Sequence, residues 1–497
     1  VVPWRIGMAE KLRMELETQV LPPFLEGQRW YAQKGEPVGR SVLRDYAVWS
    51  LGAMSWLLAC VEVRECTYFL PLALAWEEEE EQVKALSVAT VARVRQQANV
   101  GVLADAVADE AFWRQVVKAI GESRTIGTEH GALRFTPTRL FGELVKDEVA
   151  TLQLGRLHAQ STNTSVMLGE RLFIKCYRRI RPGTHPELEV GRYLTEVARF
   201  KNCVPLAGTV EYQPKEGEAA ALVLLQAFVP NQGDGWSYTL AYLERFIEMR
   251  REAEGHEAFV TLIQTLATRT AEMHRAFAMR SGLPAFEPEP FTDEDFEAWR
   301  AKVREEAEQT FAQLEQIESA KPFLRNRAKV IARIDACAAP KLASLRTRLH
   351  GDYHLGQVLL VNNDFLIIDF EGEPSRPLAE GRRKHTPLRD VAGMLRSFSY
   401  ARGAVQKRER PQPAFEKLVP ALEDWEKKTR NAFLDAYKAA AARSGIYERF
   451  DDVRGLLALA ELEKALYELR YEIANRPDWI DIPLRGLTRI AEQAEGA

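Results

Sequence analysis

A chain of 497 residues is long enough for about three domains or subdomains, each with its own core. Its 67 Lys and Arg against 71 Asp and Glu leave a net charge of −4, which argues against a general nucleic-acid binder or a basic membrane-surface protein. With 46% hydrophobic and 28% charged residues, the composition excludes disordered, collagen-like and fibrous classes.

Cys60, Cys66, Cys176, Cys203 and Cys337 are scattered and contain no Cys-x-x-Cys pair. That argues against a disulfide framework, a zinc ribbon and a thioredoxin site, and makes a reducing cytoplasm the expected compartment. The longest uncharged stretch, between Asp45 and Glu62, falls short of the roughly 20 apolar residues of a membrane span. No basic segment followed by an apolar core opens the chain, so no signal peptide is expected. The first residue is Val1, which fits a processed chain or the tail end of a longer polypeptide.

Residues 9–19 have helical spacing that ends at Pro22-Pro23. Between Ser41 and Trp76, short runs rich in β-branched and aromatic residues are broken by Gly52 and Arg64-Glu65, which predicts an antiparallel meander. Glu77–Glu81 reads as a solvated turn, and 101–119 as amphipathic helices. Residues 1–130 are thus expected to form a small α+β cap. Residues 131–231 are strand-rich, with strands at 171–177 and 220–229 around a helix at 186–200. From 232 to 497 the spacing predicts helices at 239–251, 258–279, 293–318, 322–337, 413–443 and 451–475. One hairpin interrupts them, Val358–Val361 and Phe365–Ile368, joined by Asn362-Asn363-Asp364.

The chemistry concentrates at that hairpin. Before it stands His350-Gly-Asp-Tyr-His-Leu-Gly-Gln357, and after it Ile368-Asp-Phe-Glu-Gly372. Phosphoryl transfer from a nucleotide needs a carboxylate to take up the attacking hydroxyl. It also needs an amide and a second carboxylate to hold Mg²⁺ against the phosphates. Asp352, then Gln357 five residues on, then a hairpin and Asp369 match the protein-kinase catalytic loop and its Asp-Phe-Gly. Gln357 replaces the usual Asn, and Glu371 the Gly.

Upstream, Lys175 lies in a strand between Ile174 and Cys176, and an inward Lys needs a partner. Glu189 in the next helix is the first choice and Glu187 the second. Such a pair is the kinase device for gripping α- and β-phosphates. Gln160–Ser165 precedes that strand, where a phosphate loop belongs. It has no glycine, so Asn163, Thr164 and Ser165 either cradle phosphate through hydroxyls and N–H groups or form a plain turn. Gln226-Ala-Phe228 occupies the place of an adenine hinge, whose backbone would pair with the base. No Gly-x-x-x-x-Gly-Lys-Ser/Thr loop, His-Glu-x-x-His or Gly-x-Ser-x-Gly is present. His274 reads as a satisfied helix-face histidine.

The segments His350–Gln357, Leu366–Pro374 and Pro387–Ser397 resemble the bacterial maltokinases, within the aminoglycoside-phosphotransferase branch of the protein-kinase-like fold. Leu21–Tyr31, Val229–Trp236, Tyr467–Trp479 and Ile482–Gly486 resemble the flanking parts of the same family. Two departures are visible: only Asn163-Thr164-Ser165 stays in register with the family's phosphate loop, and Gly381 stands where Arg is common.

The resemblance implies a bilobal α+β fold with an N-terminal cap and a helical C-terminal lobe. It implies ATP- and Mg²⁺-dependent phosphorylation of maltose at its anomeric hydroxyl, giving maltose 1-phosphate for α-glucan synthesis. Asp352 is then the base, Gln357 and Asp369 the metal ligands. Some relatives are fused behind a trehalose synthase domain, which a chain without an initiator Met would suit. Candidate acceptor walls are His354, Arg389, Tyr467, Glu468, Tyr471, Glu472 and Arg485. Tyr467 and Tyr471 suit a neutral disaccharide, whereas Glu468 and Glu472 suit a cation. Two acceptors therefore stay open: maltose, and glucosamine or another small sugar or amino alcohol.

Overall fold

The structure is a computed structural model that describes residues 10–492, apart from 33–36, 53, 97, 146–148, 157–162, 249–255, 374–375 and 410–417. It divides into two compact units, Val1–Arg199 with Val204–Pro230, and Phe200–Cys203 with Asn231–Ala497.

The first unit opens with α1 (Glu10–Glu15), a π-helical turn (Leu16–Val20) and α2 (Leu21–Glu26). The helical run does not end at Pro22-Pro23. Both prolines sit in the first turn of α2, where a missing N–H loses no intrahelical bond. The expected meander follows as β1 (Ser41–Leu51), β2 (Met54–Val63) and β3 (Cys66–Trp76), paired antiparallel. The acidic run is only partly a turn, because α3 (Glu80–Leu86) starts within it and places Glu80 and Glu81 at its positive end. β4 (Thr90–Gln96) and β5 (Asn99–Asp105) come next, so 101–105 is strand and not helix. β5 is held between β3 and β4, and that pairing overrides its helical spacing. The expected helix begins only at α4 (Glu110–Gly121), where the Asp109 carboxylate caps the Ala111 N–H at 3.0 Å.

A second, wholly antiparallel sheet follows. It is built from β6 (Thr125–Gly127), β7 (Gly131–Pro137), β8 (Leu154–Arg156), β9 (Thr164–Leu168) and β10 (Leu172–Cys176), with α5 (Phe141–Leu144) between β7 and β8. The short β11 (Arg179–Ile180) crosses back to pair with β3 of the first sheet. After α6 (Pro186–Arg192) and a π turn, β12 (Leu206–Pro214) and β13 (Ala220–Ala227) complete the order β6-β7-β12-β13-β10-β9-β8. One continuous core joins the two sheets: Trp49, Trp56, Phe112 and Ile120 pack in the same cluster as Phe135, Val166, Val210 and Leu225. Asp45 of β1 reinforces the join. Its carboxylate accepts from Thr128 Oγ1 (2.6 Å), the His130 N–H (2.9 Å) and Tyr212 Oη (2.7 Å).

The second unit is helical around one hairpin. Its elements are α7 (Gly235–Glu248), α8 (Glu257–Phe277), β14 (Glu289–Pro290), α9 (Asp293–Leu314), α10 (Lys321–Leu324), α11 (Arg327–Asp335), β15 (Leu345–Arg346), β16 (Val358–Val361), β17 (Asp364–Ile367), α12 (Leu378–Gly381), α13 (Leu388–Glu409), α14 (Val419–Ala441), α15 (Arg454–Asn475) and α16 (Asp481–Glu492). Residues 249–251 and 413–417 of the expected helices lie outside the described residues. Two further helices, α13 and α16, are not among those expected from the spacing. Residues 391–399 of α13 are buried on every side, which erases an amphipathic period, and α16 contains Pro483 and Gly486. The hairpin turn is tighter than expected. Asn362 (φ 50°) and Asn363 (φ 62°) alone make it, in the left-handed conformation that Asn tolerates, while Asp364 already pairs with Val361. No helix among the described residues is long and apolar enough to cross a membrane.

Candidate active site

The loop from His350 to Gln357 leads into β16, and its first residues are held from below by α13. The buried Asp390 carboxylate accepts the N–H of His350 (2.9 Å) and of Gly351 (3.0 Å). Burial pushes the Asp390 carboxyl up, but its bond with His274 and the N–H groups of the loop outweigh this and hold it ionised. His274 itself is buried on α8 and bridges Asp390 (3.2 Å) to Tyr437 Oη (2.9 Å), the structural role expected of it. His350 Nε2 donates to the Ile368 carbonyl at 2.8 Å, fixing the loop to the chain just before Asp369. Burial keeps that imidazole neutral by lowering its pKa. Gly351 sits at φ 87° with Gly372 Cα 3.3 Å from where a Cβ would stand, so a side chain there is strained by its backbone conformation and crowded by Gly372.

These supports present Asp352 to a cleft beside α15. Its Oδ1 meets the ammonium of Lys464 at 3.0 Å, and its Oδ2 lies 3.7 Å from His354 Nε2. Burial raises the Asp352 carboxyl, but Lys464 and His354 overcome that and hold it well below the carboxylate range. Lys464 also reaches Glu373 Oε1 at 3.3 Å and lies 4.7 Å over the Tyr467 ring. Burial alone would lower the Lys464 pKa, and the two carboxylates raise it, so the ammonium stays charged. Sequence reasoning missed Lys464. Its one visible signal is a Lys on α15 between positions that are all buried, at Leu462, Ala465 and Leu466.

Gln357 closes a 3₁₀ turn, and its Nε2 stands 3.3 Å from Asp369 Oδ2. Asp369 has φ 64°, a conformation uncommon for a residue with a side chain and found at functional sites. The hairpin thus brings one amide and one carboxylate into contact. A half-turn of the Gln357 amide presents its oxygen in place of its nitrogen, giving the hard oxygen donors that Mg²⁺ prefers.

The seven expected acceptor walls separate. His354 lies beside Asp352, and Arg389, paired with Glu463 at 3.0 Å, and Tyr467 line the same cleft as Lys464. The other four do not line it. Glu468 is taken by the fully buried Arg396, at 2.7 and 3.0 Å. Glu472 is buried against Tyr400 (2.9 Å) and Arg476 (2.6 Å). Tyr471 is 46% exposed, with the Arg476 guanidinium over its ring. Arg485 lies 3.4 Å from Gln406 in a separate groove between α13 and α16.

In the first unit, Lys175 on β10 meets a glutamate of α6 at 2.9 Å, and it is Glu187, the second choice beside Glu189. The two lie about 200° apart around a helix, and the inward face belongs to Glu187, which is buried and also accepts from Tyr177 Oη at 2.5 Å. Ser165 pairs across β9–β10 with Lys175. Thr164 Oγ1 accepts from Arg178 Nε at 2.7 Å. Arg178 is buried in turn on Asp105 (2.6 Å) and Trp30. Asn163 is partly buried just before β9, and residues 160–162 lie outside the described residues. Gln226 is in β13, paired with Phe173. The Phe228 N–H, expected to meet a base, instead donates to the Arg171 carbonyl at 2.7 Å.

Comparison with known proteins places residues 24–109 in the maltokinase N-terminal cap domain and residues 178–452 in the phosphotransferase enzyme family. A glucosamine kinase of Streptacidiphilus jiangxiensis is 29% identical over 338 residues, spanning 66% of this chain and 71% of that protein. One from Mycolicibacterium smegmatis (strain ATCC 700084 / mc(2)155) is 27% identical over 337 residues, 67% of this chain and 78% of that one. A solved glucosamine kinase in complex with glucosamine, ADP and inorganic phosphate superposes with TM-score 0.61 at 20% identity, covering 94% of this chain and 98% of that one. A second crystal form of glucosamine kinase gives TM-score 0.64 at 20% identity, with coverages of 97% and 99%. The fold is the kinase-like one that the catalytic segment leads one to expect.

Proposed function

The chain belongs to the phosphotransferase enzyme family, and on that premise we propose that it transfers the γ-phosphoryl group of ATP to the anomeric hydroxyl of maltose. The observation that carries the maltose reading is the maltokinase cap at residues 24–109. Asp352 orients the anomeric hydroxyl and receives its proton as that oxygen bonds phosphorus and the bond to the ADP oxygen breaks. A base held so firmly ionised is weak, which suits a loose transition state in which the proton leaves late. Gln357 and Asp369 would hold Mg²⁺, which when bound offsets charge on the phosphates. Lys175, steadied by Glu187, grips the α- and β-phosphates. The product, maltose 1-phosphate, is an activated donor for α-glucan synthesis in the cytoplasm, and association with a trehalose synthase belongs to the same reading.

A second reading, a glucosamine kinase, is favoured by the names of the two curated relatives. One experiment separates the two. With Mg²⁺ and ATP, maltose is expected to yield a 1-phosphate identifiable by NMR, while 1-deoxy and 1-O-methyl analogues bind without turnover. Product from 1-O-methyl maltoside, or a clear preference for glucosamine, refutes the maltose reading and leaves the kinase fold standing.

A further inference from the structure

Beside Asp390, which the loop N–H groups and His274 already engage, Glu373 and Glu463 line the cleft and Asp352 adjoins it through Lys464, and each of these three carboxylates has a cation. Asp352 is paired with Lys464 at 3.0 Å, Glu463 with Arg389 at 3.0 Å, and Glu373 with both Arg376 and Lys464. Lys464 lies in the middle of this array, with a side chain 17% exposed, its ammonium shared between the base and Glu373 and standing 4.7 Å over the Tyr467 ring. An ammonium brought in by a substrate must shed its water, and it recovers that cost only on negative charge that nothing else neutralises. Among the described residues the cleft offers none, because the place between Asp352 and Glu373 where such a group would sit is filled by the protein's own ammonium.

We propose that Lys464 is a specificity-determining residue: it occupies the cation position between Asp352 and Glu373, and so restricts the acceptor to a neutral polyhydroxylated sugar and excludes amino sugars. The same ammonium donates to a sugar hydroxyl once the acceptor arrives, so it costs a neutral substrate nothing. This rests on the reading of the cleft as the acceptor site.

The test compares kcat/KM for maltose, glucosamine and neutral N-acetylglucosamine in the wild type, Lys464→Gln and Lys464→Arg. The wild type is expected to favour maltose over glucosamine by at least about 10²-fold, the span a few misplaced or unmatched polar contacts command. In Lys464→Gln that ratio falls at least about tenfold, through a lower KM for glucosamine and not for N-acetylglucosamine, while Lys464→Arg keeps it. Parallel losses on all three sugars with the ratio unchanged overturn the proposal and assign Lys464 a structural role. If Lys464→Gln does not fold, the wild type decides. Glucosamine must then inhibit maltose turnover more strongly as pH rises and its amine loses the proton, and equal inhibition by the protonated form overturns the proposal. The two readings fail separately. A wild type that prefers another neutral sugar removes maltose and keeps Lys464, whereas maltose turnover with an unchanged ratio in Lys464→Gln does the reverse.

Discussion

The substitution Glu468→Gln separates a structural residue from a sugar contact. Glu468 lies on α15 one turn after Lys464, and sequence spacing alone puts it on the acceptor wall. In the structure its Oε2 accepts two bonds from Arg396, whose side chain is 0% exposed. The amide that replaces the carboxylate preserves shape and one acceptor but leaves a buried guanidinium without the counter-charge it bonds. Breaking such a pair costs about 3–5 kcal/mol. The bond that the amide retains returns about 1 kcal/mol, so a loss of about 2–4 kcal/mol is expected. Urea unfolding followed by circular dichroism should show the helical transition moved down by about 1 M for a slope of a few kcal/mol per molar. Maltose KM should change less than about threefold, since the carboxylate does not face the cleft. Replacing both partners, Arg396→Met with Glu468→Leu, should recover part of the loss because no buried charge remains. A stability change below about 1 kcal/mol together with a KM rise above about tenfold would refute the reasoning and return Glu468 to the substrate.

Asp352→Asn should retain nucleotide binding and lose at least about 10²-fold in turnover, and near-normal activity would remove it as the base. Asp369→Ala should abolish Mg²⁺-dependent ATP binding in calorimetry, whereas Gln357→Ala weakens it less, a neutral amide contributing less to a divalent site than a carboxylate. Glu426 is buried, which pushes its carboxyl up, but Arg489 and Arg402 pull it down from 4.5 to about 2. A folded-state pKa below the unfolded one adds stability that is complete above pH 4.5 and lost as the pH falls toward 2, about 3 kcal/mol in all. Glu426→Gln should therefore flatten acid unfolding across that window, and an unchanged slope would show that the carboxylate is not held by those arginines.

The candidate site at the hairpin was legible because its residues are local. Asp352, Gln357 and Asp369 lie within one short segment, and two asparagines write the turn between them. What escaped the sequence was long-range. Lys464 reaches Asp352 across 112 positions, and amid the glutamates of α15 it reads as one half of an ordinary surface pair. Spacing alone ranks Glu189 before Glu187 as the partner of Lys175, and only the packing of α6 decides which one faces β10. Helix α13 is hidden for the opposite reason, because a segment buried on all sides has no polar face to reveal its period. Its Asp390, within the Pro387–Ser397 segment, is silent about its role until the loop N–H groups it accepts are seen.

The core that runs without a break from β1–β5 into the second sheet bears on how this chain can vary over evolutionary time. A detachable domain can be gained or lost at a linker, because each side keeps a finished surface. Here, deletion of roughly the first 120 residues would strip Phe135, Val166 and Val210 of their packing partners and leave Tyr212 without Asp45. Descent without the cap therefore demands a resurfaced second sheet, with many apolar positions replaced together. The cap and the sheet behind it are therefore expected to vary as a single heritable block, and recombination that exchanges one without the other is expected to expose apolar surface.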